Sequence, residues 1–344
     1  MPAIHFQNVC VEGFAHTLPE EVVTSEEIES RLEPLYERLK LPEGRLELIS
    51  GVRERRFWPP GTPPSEKSIE SGRRLIERTG IDPAEIGVLI HGSVCRDFLE
   101  PATACRVHQA LGLPRECLVY DVSNACLGLL NGIVQVAGMI ELGQIRAGLI
   151  VGTENSRNLV ETTIERLNND TSFTRNSVKP AFASLTIGSA SAAVLMCDRK
   201  ISSAGHRLIG GVYRTNTDGC RLCQSEGLQE YMNTDSERLM RDGIAIAQET
   251  FGEFLAAAGW QRDTLHKTFC HQVGRAHHRL LFESLGLDQS IDFATYEWLG
   301  NTGSAALPVS ASLGIEQGHL ARGDHVGLLG IGSGINCLML AAEW

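Results

Sequence analysis

The residues Leu118 to Leu142, LVYDVSNACLGLLNGIVQVAGMIEL, decide the fold class of this chain. Their first five residues are apolar enough for a strand, and the nearly continuous apolar segment after Cys126 predicts a helix. A short polar turn separates the two, so Cys126 lies where the helix should begin. Free backbone N–H groups and the helix dipole favour a thiolate there, and backbone donors beside a thiolate suit acyl transfer. A free cysteine is more often a small buried hydrophobe, and the rest of the chain has to decide between the two roles.

Strand-like and helix-like segments alternate along the whole chain. Ser65 to Arg78 and Leu239 to Ala258 have the apolar spacing of helices, while Val326 to Leu329 is a short apolar run typical of a buried strand. This alternation predicts an α/β architecture with covered sheets. The order of elements repeats, which predicts two similar halves, residues 1–205 and 206–344.

Composition narrows the possible functions. The net charge of −11 argues against a partner such as nucleic acid or an anionic membrane. No apolar run reaches the length of a transmembrane helix, and the N-terminal residues lack the pattern of a signal peptide. Several of the ten cysteines lie inside apolar runs, which is typical of buried thiols in a reducing compartment. We therefore expect a cytoplasmic protein without a transmembrane span.

Two local clusters each have two interpretations. Cys220 and Cys223 form a Cys-x-x-Cys pair, but no second pair follows at zinc-site spacing. We therefore expect no metal here, and a zinc or redox role is the alternative interpretation. Arg53, Arg55 and Arg56 lie beside two aromatic residues and could bind an anionic substrate. They could equally form a solvated basic turn.

Three later segments could complete a site around Cys126. His271 follows a short apolar strand, and Asn301 lies in a glycine-rich run before a helix. The run from Gly330 to Gly334 can turn backbone N–H groups towards an oxyanion. Taken singly, these residues could be a core histidine, a helix cap and a tight turn. Their shared position at the ends of elements favours one common site.

In this order and spacing, the segments resemble the thiolase superfamily and, within it, the ketoacyl synthase III branch of condensing enzymes. The resemblance covers essentially the whole chain and rests on Asn124-Ala125-Cys126, His271-Gln272, Gly300-Asn301-Thr302 and Gly332-Ser333-Gly334. It implies the five-layer αβαβα thiolase fold with two pseudo-repeated halves. The first half carries the nucleophile Cys126, and the second carries His271 and Asn301. It also implies oxyanion donors at Cys126 and Ser333, CoA thioesters as substrates and no cofactor. The substrate or CoA contacts that it implies are Arg53, Arg55, Arg56, Gly332 and Gly334.

The string Ser93 to Pro101, SVCRDFLEP, narrows the resemblance further. It is similar to condensing enzymes of bacterial olefin biosynthesis, which join two acyl chains head to head. In those enzymes a glutamate at the place of Glu100 reaches into the neighbouring subunit's site as a base, so the resemblance implies a homodimer. We expect Glu100 to be buried and close to Cys126 of one chain or the other. Its structural alternative is an exposed charge before a helix that starts at Pro101.

The implied reaction is a Claisen condensation of two fatty acyl-CoA thioesters without decarboxylation. An acyl-Cys126 intermediate would form first, and the product would be a 2-alkyl-3-keto acid or thioester. The nearest alternative is a β-ketoacyl-ACP synthase III that uses a malonyl-ACP extender. Acyl transfer to an oxygen or nitrogen nucleophile and a catalytically silent subunit are further alternatives. Leu299 and Gly274 depart from the family pattern, which leaves the choice of substrate open.

Overall fold

Helices and strands alternate along the chain, as the periodicity predicts. The computed structural model describes residues 3–226 and 231–344, and no helix within these ranges is long and apolar enough to cross a membrane. Up to Asp198 the elements are β1 (Ala3–His5), β2 (Val9–Thr17), β3 (Glu21–Thr24), α1 (Ser25–Arg31), α2 (Glu33–Leu39), α3 (Arg45–Ser50), β4 (Glu54–Phe57), α4 (Pro64–Thr79), β5 (Ile86–Gly92), α5 (Thr103–Leu111), β6 (Leu118–Val122), α6 (Gly128–Glu141), β7 (Ala147–Glu154), α7 (Arg157–Asn169), α8 (Lys179–Phe182) and β8 (Ala190–Asp198). From His206 they are β9 (His206–Thr215), β10 (Cys223–Glu226), β11 (Tyr231–Thr234), α9 (Ser236–Ala258), β12 (Lys267–Cys270), α10 (Arg275–Leu285), α11 (Tyr296–Leu299), α12 (Ala306–Glu316), β13 (His325–Gly332) and β14 (Asn336–Glu343).

Among the described residues, ten strands form one mixed sheet in two parts. The first part has the order β6-β5-β7-β8-β2; β5 is parallel to β6 and β7, and the pairs with β8 are antiparallel. The second part has the order β9-β14-β13-β12, with β1 beside β9. The two parts meet only at the pairs Cys10–Arg207 and Val11–His206. Each part can therefore carry helices on both faces.

Three apolar cores separate the layers. Successive strand residues face opposite sides of a sheet, so Leu328 belongs to the central core and Leu329 to an outer one. The central core contains α6 and α12 together with strands from both parts of the sheet. One outer core lies under α4 and α5, and the other lies under α9 and α10. The layers run helix, sheet, helix, sheet, helix, so the predicted five-layer αβαβα class is confirmed. The domain boundary at residue 205 falls between β8 and β9 and stays a prediction.

A fourth apolar cluster, formed by α1, α2, β4, α7 and α8, lies beside these layers. The polar segment 168–180 packs into it. Val178 is buried in the cluster, and the Arg175 side chain donates hydrogen bonds to the carbonyls of Leu39 and Lys40. These contacts hold the segment against α2.

Candidate active site

Cys126 lies in the tight turn between β6 and α6, as predicted, although the helix begins only at Gly128. Ala125 has a φ of 44°, in the left-handed region that non-glycine residues rarely occupy. The N–H of Leu127 donates to the carbonyl of Asn124 at 2.8 Å and closes the turn. The bend takes Cys126 out of the strand and leaves its side chain half-buried.

The glycine-rich end of β13 forms a second wall of this site. A Cβ atom on Gly332 would lie 3.6 Å from the backbone nitrogen of Cys126, so the two turns approach closely. The backbone N–H groups of Ser333 and of Cys126 itself lie close enough to the Cys126 sulfur to favour its charged form. The Asn336 Nδ2 group donates to the Ser333 carbonyl at 3.2 Å and to Asn124 Oδ1 at 3.3 Å, which ties the two turns together. Two backbone donors that converge on a nucleophile can hold the oxyanion of an acyl-transfer intermediate.

The ionisation of Cys126 differs from the sequence-based expectation. Burial raises the pKa of its thiol to about 12, and the nearby charges of Cys223 and Glu154 act in the same direction. The two N–H groups lower the pKa, but by less. The expected thiolate at a helix N-terminus is therefore wrong for the chain without substrate, because α6 begins after Cys126 and burial outweighs the backbone donors. The thiol is neutral at pH 7.

His271 follows β12 directly and is buried. Its backbone N–H donates to the Leu329 carbonyl at 3.1 Å, which fixes it beside β13. Burial lowers the pKa of His271 to about 3, and the neighbouring His277 lowers it further. The imidazole is therefore neutral at pH 7 and can donate from one ring nitrogen and accept at the other. Within the described ranges, Nδ1 is buried without a hydrogen-bond partner.

Asn301 lies in the loop between α11 and α12, held by its own backbone. Its N–H donates to the Thr186 carbonyl at 3.0 Å, and its carbonyl accepts from the Gly188 N–H at 2.9 Å. The side-chain Oδ1 accepts from the Gly303 N–H at 2.9 Å. A Cβ atom on Gly300 would lie 2.4 Å from the Thr186 oxygen, so only glycine permits this close docking. The Gly303 N–H therefore fixes the orientation of the Asn301 amide.

Glu154, which the sequence analysis does not single out, also lies near Cys126. It is the last residue of β7, it is buried, and its charge contributes to the raised pKa of the Cys126 thiol. Its Oε1 atom accepts hydrogen bonds from Val94 and Ser304. An acidic residue at the end of the apolar run Leu149 to Val151 is the signal that could have identified it.

Glu100 is exposed, so the chain's own fold does not provide the predicted burial. It belongs to a loop, residues 93–101, that we call the base arm. The apolar side chains of Phe98 and Leu99 on the same arm are 56% and 93% exposed. The reason for the exposure is geometric: the arm is hydrogen-bonded to the chain at Ser93, Val94 and Asp97, and its tip projects from the surface. A base role for Glu100 thus requires a second chain and stays a prediction.

The three predicted arginines occupy three different environments. Arg55 is fully buried, and its guanidinium donates to the Val23 carbonyl and the Ser25 hydroxyl. Burial lowers its pKa to about 10. The predicted substrate contact is therefore wrong for Arg55, because the side chain supports the β3–β4 pair from inside. Arg56 is half-buried and donates to a backbone carbonyl, whereas Arg53 is exposed.

The remaining predicted positions have structural contacts. Gly334 has a φ of 135°, and a Cβ atom there would lie 2.4 Å from Asn336 Nδ2, so the turn requires glycine. Cys220 is exposed, while the half-buried Cys223 accepts a hydrogen bond from the Thr234 hydroxyl at 3.4 Å. Cys220 and Cys223 form no disulfide with each other, and both are free thiols. In the part of the chain that the structure describes, no group of three or more His, Cys, Asp or Glu residues could hold a metal ion.

Fold and site together define a condensing acyltransferase of the thiolase superfamily. The family model for the thiolase N-terminal domain matches residues 62–199. The model for the 3-oxoacyl-[acyl-carrier-protein] synthase III C terminal matches residues 255–344. The superfamily predicted from the four separated motifs is thereby confirmed.

The individual relatives are more specific. The chain is 40% identical to the acyl-CoA:acyl-CoA alkyltransferase of Shewanella oneidensis, over 98% of this chain and 99% of the relative. It is 36% identical to the protein of the same name from Xanthomonas campestris pv. campestris, over 98% and 99%. The chain is also similar to a crystal structure of Xanthomonas campestris OleA, a cysteine-to-serine variant with bound lauric acid and lauroyl-CoA. The two superpose with a TM-score of 0.94 at 35% identity, and the match covers 98% of this chain and all of that one. The chain belongs to the acyl-CoA:acyl-CoA alkyltransferase family, and the predicted resemblance to the OleA type is confirmed.

Proposed function

We propose that this protein joins two fatty acyl-CoA thioesters head to head in a Claisen condensation without decarboxylation. The observation that carries the proposal is the meeting of Cys126 with the N–H groups of Ser333 and Cys126 itself, which forms a site for an acyl thioester and its oxyanion. The family relationship supports the choice of acyl-CoA as both donor and acceptor. The product would be a 2-alkyl-3-keto acid or thioester, a precursor for olefin biosynthesis.

The first step transfers an acyl group to Cys126. The neutral thiol attacks the thioester carbonyl and gives up its proton as the new C–S bond forms. The carbonyl oxygen becomes an oxyanion held by the N–H groups of Cys126 and Ser333. The C–S bond to CoA then breaks, and the CoA sulfur takes up the proton that Cys126 released, so free CoA leaves. Losing one such backbone donor typically costs about 100- to 1,000-fold in rate.

The second step forms the carbon–carbon bond. A second acyl-CoA enters with its thioester oxygen on His271 and the Asn301 amide. Glu100 removes a proton from the α carbon, and the resulting carbanion attacks the carbonyl of acyl-Cys126. The C–S bond to Cys126 breaks, and the released sulfur takes up the proton that Glu100 removed, which restores the Glu100 carboxylate. Because no carboxylate is lost from the acceptor, the carbanion can form only if a base removes the α proton. That is the role of Glu100.

A homodimer would bring Glu100 to the partner's site. The tip of the base arm projects from the chain with exposed apolar side chains at Phe98 and Leu99, which is typical of a surface that contacts another protein. β6, the strand that leads to Cys126, is the edge of the sheet, and Leu118 on it is 54% exposed. An exposed edge strand can pair with its copy across a two-fold axis. Five buried free thiols fit a reducing, cytoplasmic location: Cys10, Cys117, Cys197, Cys270 and Cys337.

A second candidate function is a ketoacyl synthase III that condenses an acyl group with a malonyl thioester. The match of residues 255–344 to the 3-oxoacyl-[acyl-carrier-protein] synthase III model favours it. In this reaction His271 and Asn301 would support decarboxylation, and Glu100 would have no role.

The two functions separate on incubation with one long-chain acyl-CoA alone. We expect an acyl mass on Cys126 and a long-chain ketone, formed when the hydrolysed β-keto product loses carbon dioxide. E100Q should still be acylated but form no ketone. E116Q, a matched change of an exposed glutamate outside the site, should behave as the unaltered protein. Ketone formation only when malonyl thioester is added, and equally in E100Q, would contradict the proposal in favour of the synthase.

A further inference from the structure

Glu154 touches two catalytic segments through a single oxygen atom. Its Oε1 accepts a hydrogen bond from the Val94 N–H at 3.3 Å, at the root of the base arm. The same Oε1 accepts from the Ser304 N–H at 3.3 Å and from the Ser304 hydroxyl at 2.5 Å. Ser304 lies in the loop of Asn301. Glu154 is therefore a direct link between the arm that carries Glu100 and the loop that carries Asn301.

The link to the Asn301 loop is close and continuous. Gly303 donates its N–H to the Asn301 Oδ1 atom at 2.9 Å. A Cβ atom on Gly303 would lie 3.0 Å from the Glu154 carboxyl carbon, so the carboxylate packs directly against this residue. The next residue, Ser304, is bonded to Glu154 by both its backbone and its hydroxyl. A shift of Glu154 would move the N–H that orients the Asn301 amide.

The link to the base arm is part of a fixed root. The Ser93 hydroxyl donates to the Thr153 carbonyl at 2.8 Å, beside Glu154. Farther along the arm, the buried carboxylate of Asp97 accepts from the Ser65 N–H at 2.9 Å and pairs with Arg106 at 2.7 Å. These contacts hold the first half of the arm, from Ser93 to Asp97, so the position of Val94 influences where the tip with Glu100 starts from the surface.

We propose that Glu154 is a positioning residue for both active sites of the dimer at once: it holds Asn301 in its own chain and directs the Glu100 that this chain lends to its partner. This inference rests on the proposed transfer of Glu100 across the interface. Glu154 is buried, and its bond from the Ser304 hydroxyl, at 2.5 Å, has the short length of a charge-assisted hydrogen bond. It acts through other residues and touches no reacting atom.

A mixed dimer separates the two roles. One protomer carries E100Q and keeps Cys126; the other carries C126A and keeps Glu100. Such a dimer has a single complete site, built from Cys126 and Asn301 of the first protomer and Glu100 of the second. E154A on the first protomer tests the Asn301 loop, and E154A on the second tests the base arm. Two different affinity tags isolate the mixed dimer, and ketone formation and Cys126 acylation are measured separately.

In either protomer, E154A should lower ketone formation more than it lowers acylation of Cys126. We expect the difference to be about tenfold, which is the loss typical of one buried hydrogen bond. E154Q keeps an oxygen that can accept from Val94 and Ser304 and should restore most of the rate. The matched control is E12A, which removes another buried carboxylate, one that holds the turn at Ser202 and Ser203. E12A should lower both readouts together, in proportion to the folded fraction.

The outcomes distinguish the two proposals. An inactive parent mixed dimer, with an active unaltered protein, would contradict the transfer of Glu100 between chains and would overturn the role of Glu154 with it. An active parent in which E154A has an effect in one protomer only, or lowers acylation as much as ketone formation, would overturn the double role of Glu154 and leave the proposed function intact.

Discussion

A methyl group added at Gly128 tests how the fold positions Cys126. Gly128 is the first residue of α6, and it packs against the backbone at the end of β5. A Cβ atom there would lie 2.8 Å from the carbonyl carbon of Gly92, 2.9 Å from its oxygen and 3.2 Å from the Ser93 nitrogen. These are backbone atoms, so no flexible side chain can give way. In the G128A variant, the start of α6 has to move away from β5.

The distances set the size of the effect. The closest contact is about 0.6 Å shorter than an ordinary van der Waals contact, and overpacking of this kind typically costs about 1–3 kcal/mol of stability. Cys126 lies two residues before Gly128 and would shift with the helix. Because a misplacement of about 1 Å can cost 100-fold in rate, we expect acylation of Cys126 to fall about ten- to 100-fold.

The assay is single-turnover acylation by a long-chain acyl-CoA, followed by rapid quenching and intact-protein mass spectrometry. Chemical denaturation gives the free energy of unfolding of the same samples. Gly138 on the same helix is the matched control, because a Cβ atom there meets nothing within 4 Å. G138A should acylate normally and gain about 0.5–1 kcal/mol of stability from the better helix former. Normal acylation by G128A would refute the reasoning that this glycine contact positions the nucleophile.

Three further predictions concern ionisation and burial. Because burial raises the pKa of the Cys126 thiol to about 12, the rate of its alkylation by iodoacetamide should still increase at pH 10. Alkylation is measured on the Cys126 peptide, and a rate that levels off near pH 7 would contradict the raised pKa. Burial lowers the pKa of His91 to about 4, so its stabilising contribution is complete above pH 6.5 and is lost as the pH falls towards 4. H91L should therefore lose about 2 kcal/mol less unfolding free energy between pH 7.5 and pH 5 than the unaltered protein; an equal loss in both would contradict the shift. R55A should lose about 2–3 kcal/mol of stability, because it leaves buried acceptors without a donor. R53A should keep its stability and raise the KM for acyl-CoA up to about fivefold. If R55A instead raised the KM and left the melting temperature unchanged, while R53A lowered the melting temperature and left the KM unchanged, Arg55 would be a substrate contact.

The sequence predicted those parts of the molecule that local pattern determines. The strand, turn and helix around Cys126 follow from an apolar run interrupted by Ser123 and Asn124; the strand and the turn form where expected, and the helix begins two residues after Cys126. His271 was identified because it follows an apolar strand, and Asn301 because it lies in a glycine-rich run before a helix. The structure places His271 directly after β12 and Asn301 between α11 and α12. Helix periodicity predicted Ser65 to Arg78, and α4 covers that range with one residue more at each end.

The parts that the sequence did not predict depend on tertiary burial. Arg55 lies between two other arginines and looked solvated, but β4 alternates its side chains and turns Arg55 inwards. The raised pKa of Cys126 results from the surrounding fold, and no local motif encodes it. Glu154 becomes important only because the sheet brings the end of β7 beside Ser304, 150 residues later. The exposure of Glu100 depends on the three-dimensional path of the base arm, which no local pattern in the sequence determines.

The central claim is that two chains combine Cys126 and Glu100 to condense two acyl groups. Its most direct test is ketone formation from a single long-chain acyl-CoA by three species: the E100Q homodimer, the C126A homodimer and the mixed dimer of the two. We predict no ketone from either homodimer and about half of the unaltered activity per dimer from the mixed species, because one of its two sites is complete. A mixed dimer as inactive as its parents, or an E100Q homodimer that forms ketone at the unaltered rate, would contradict the account.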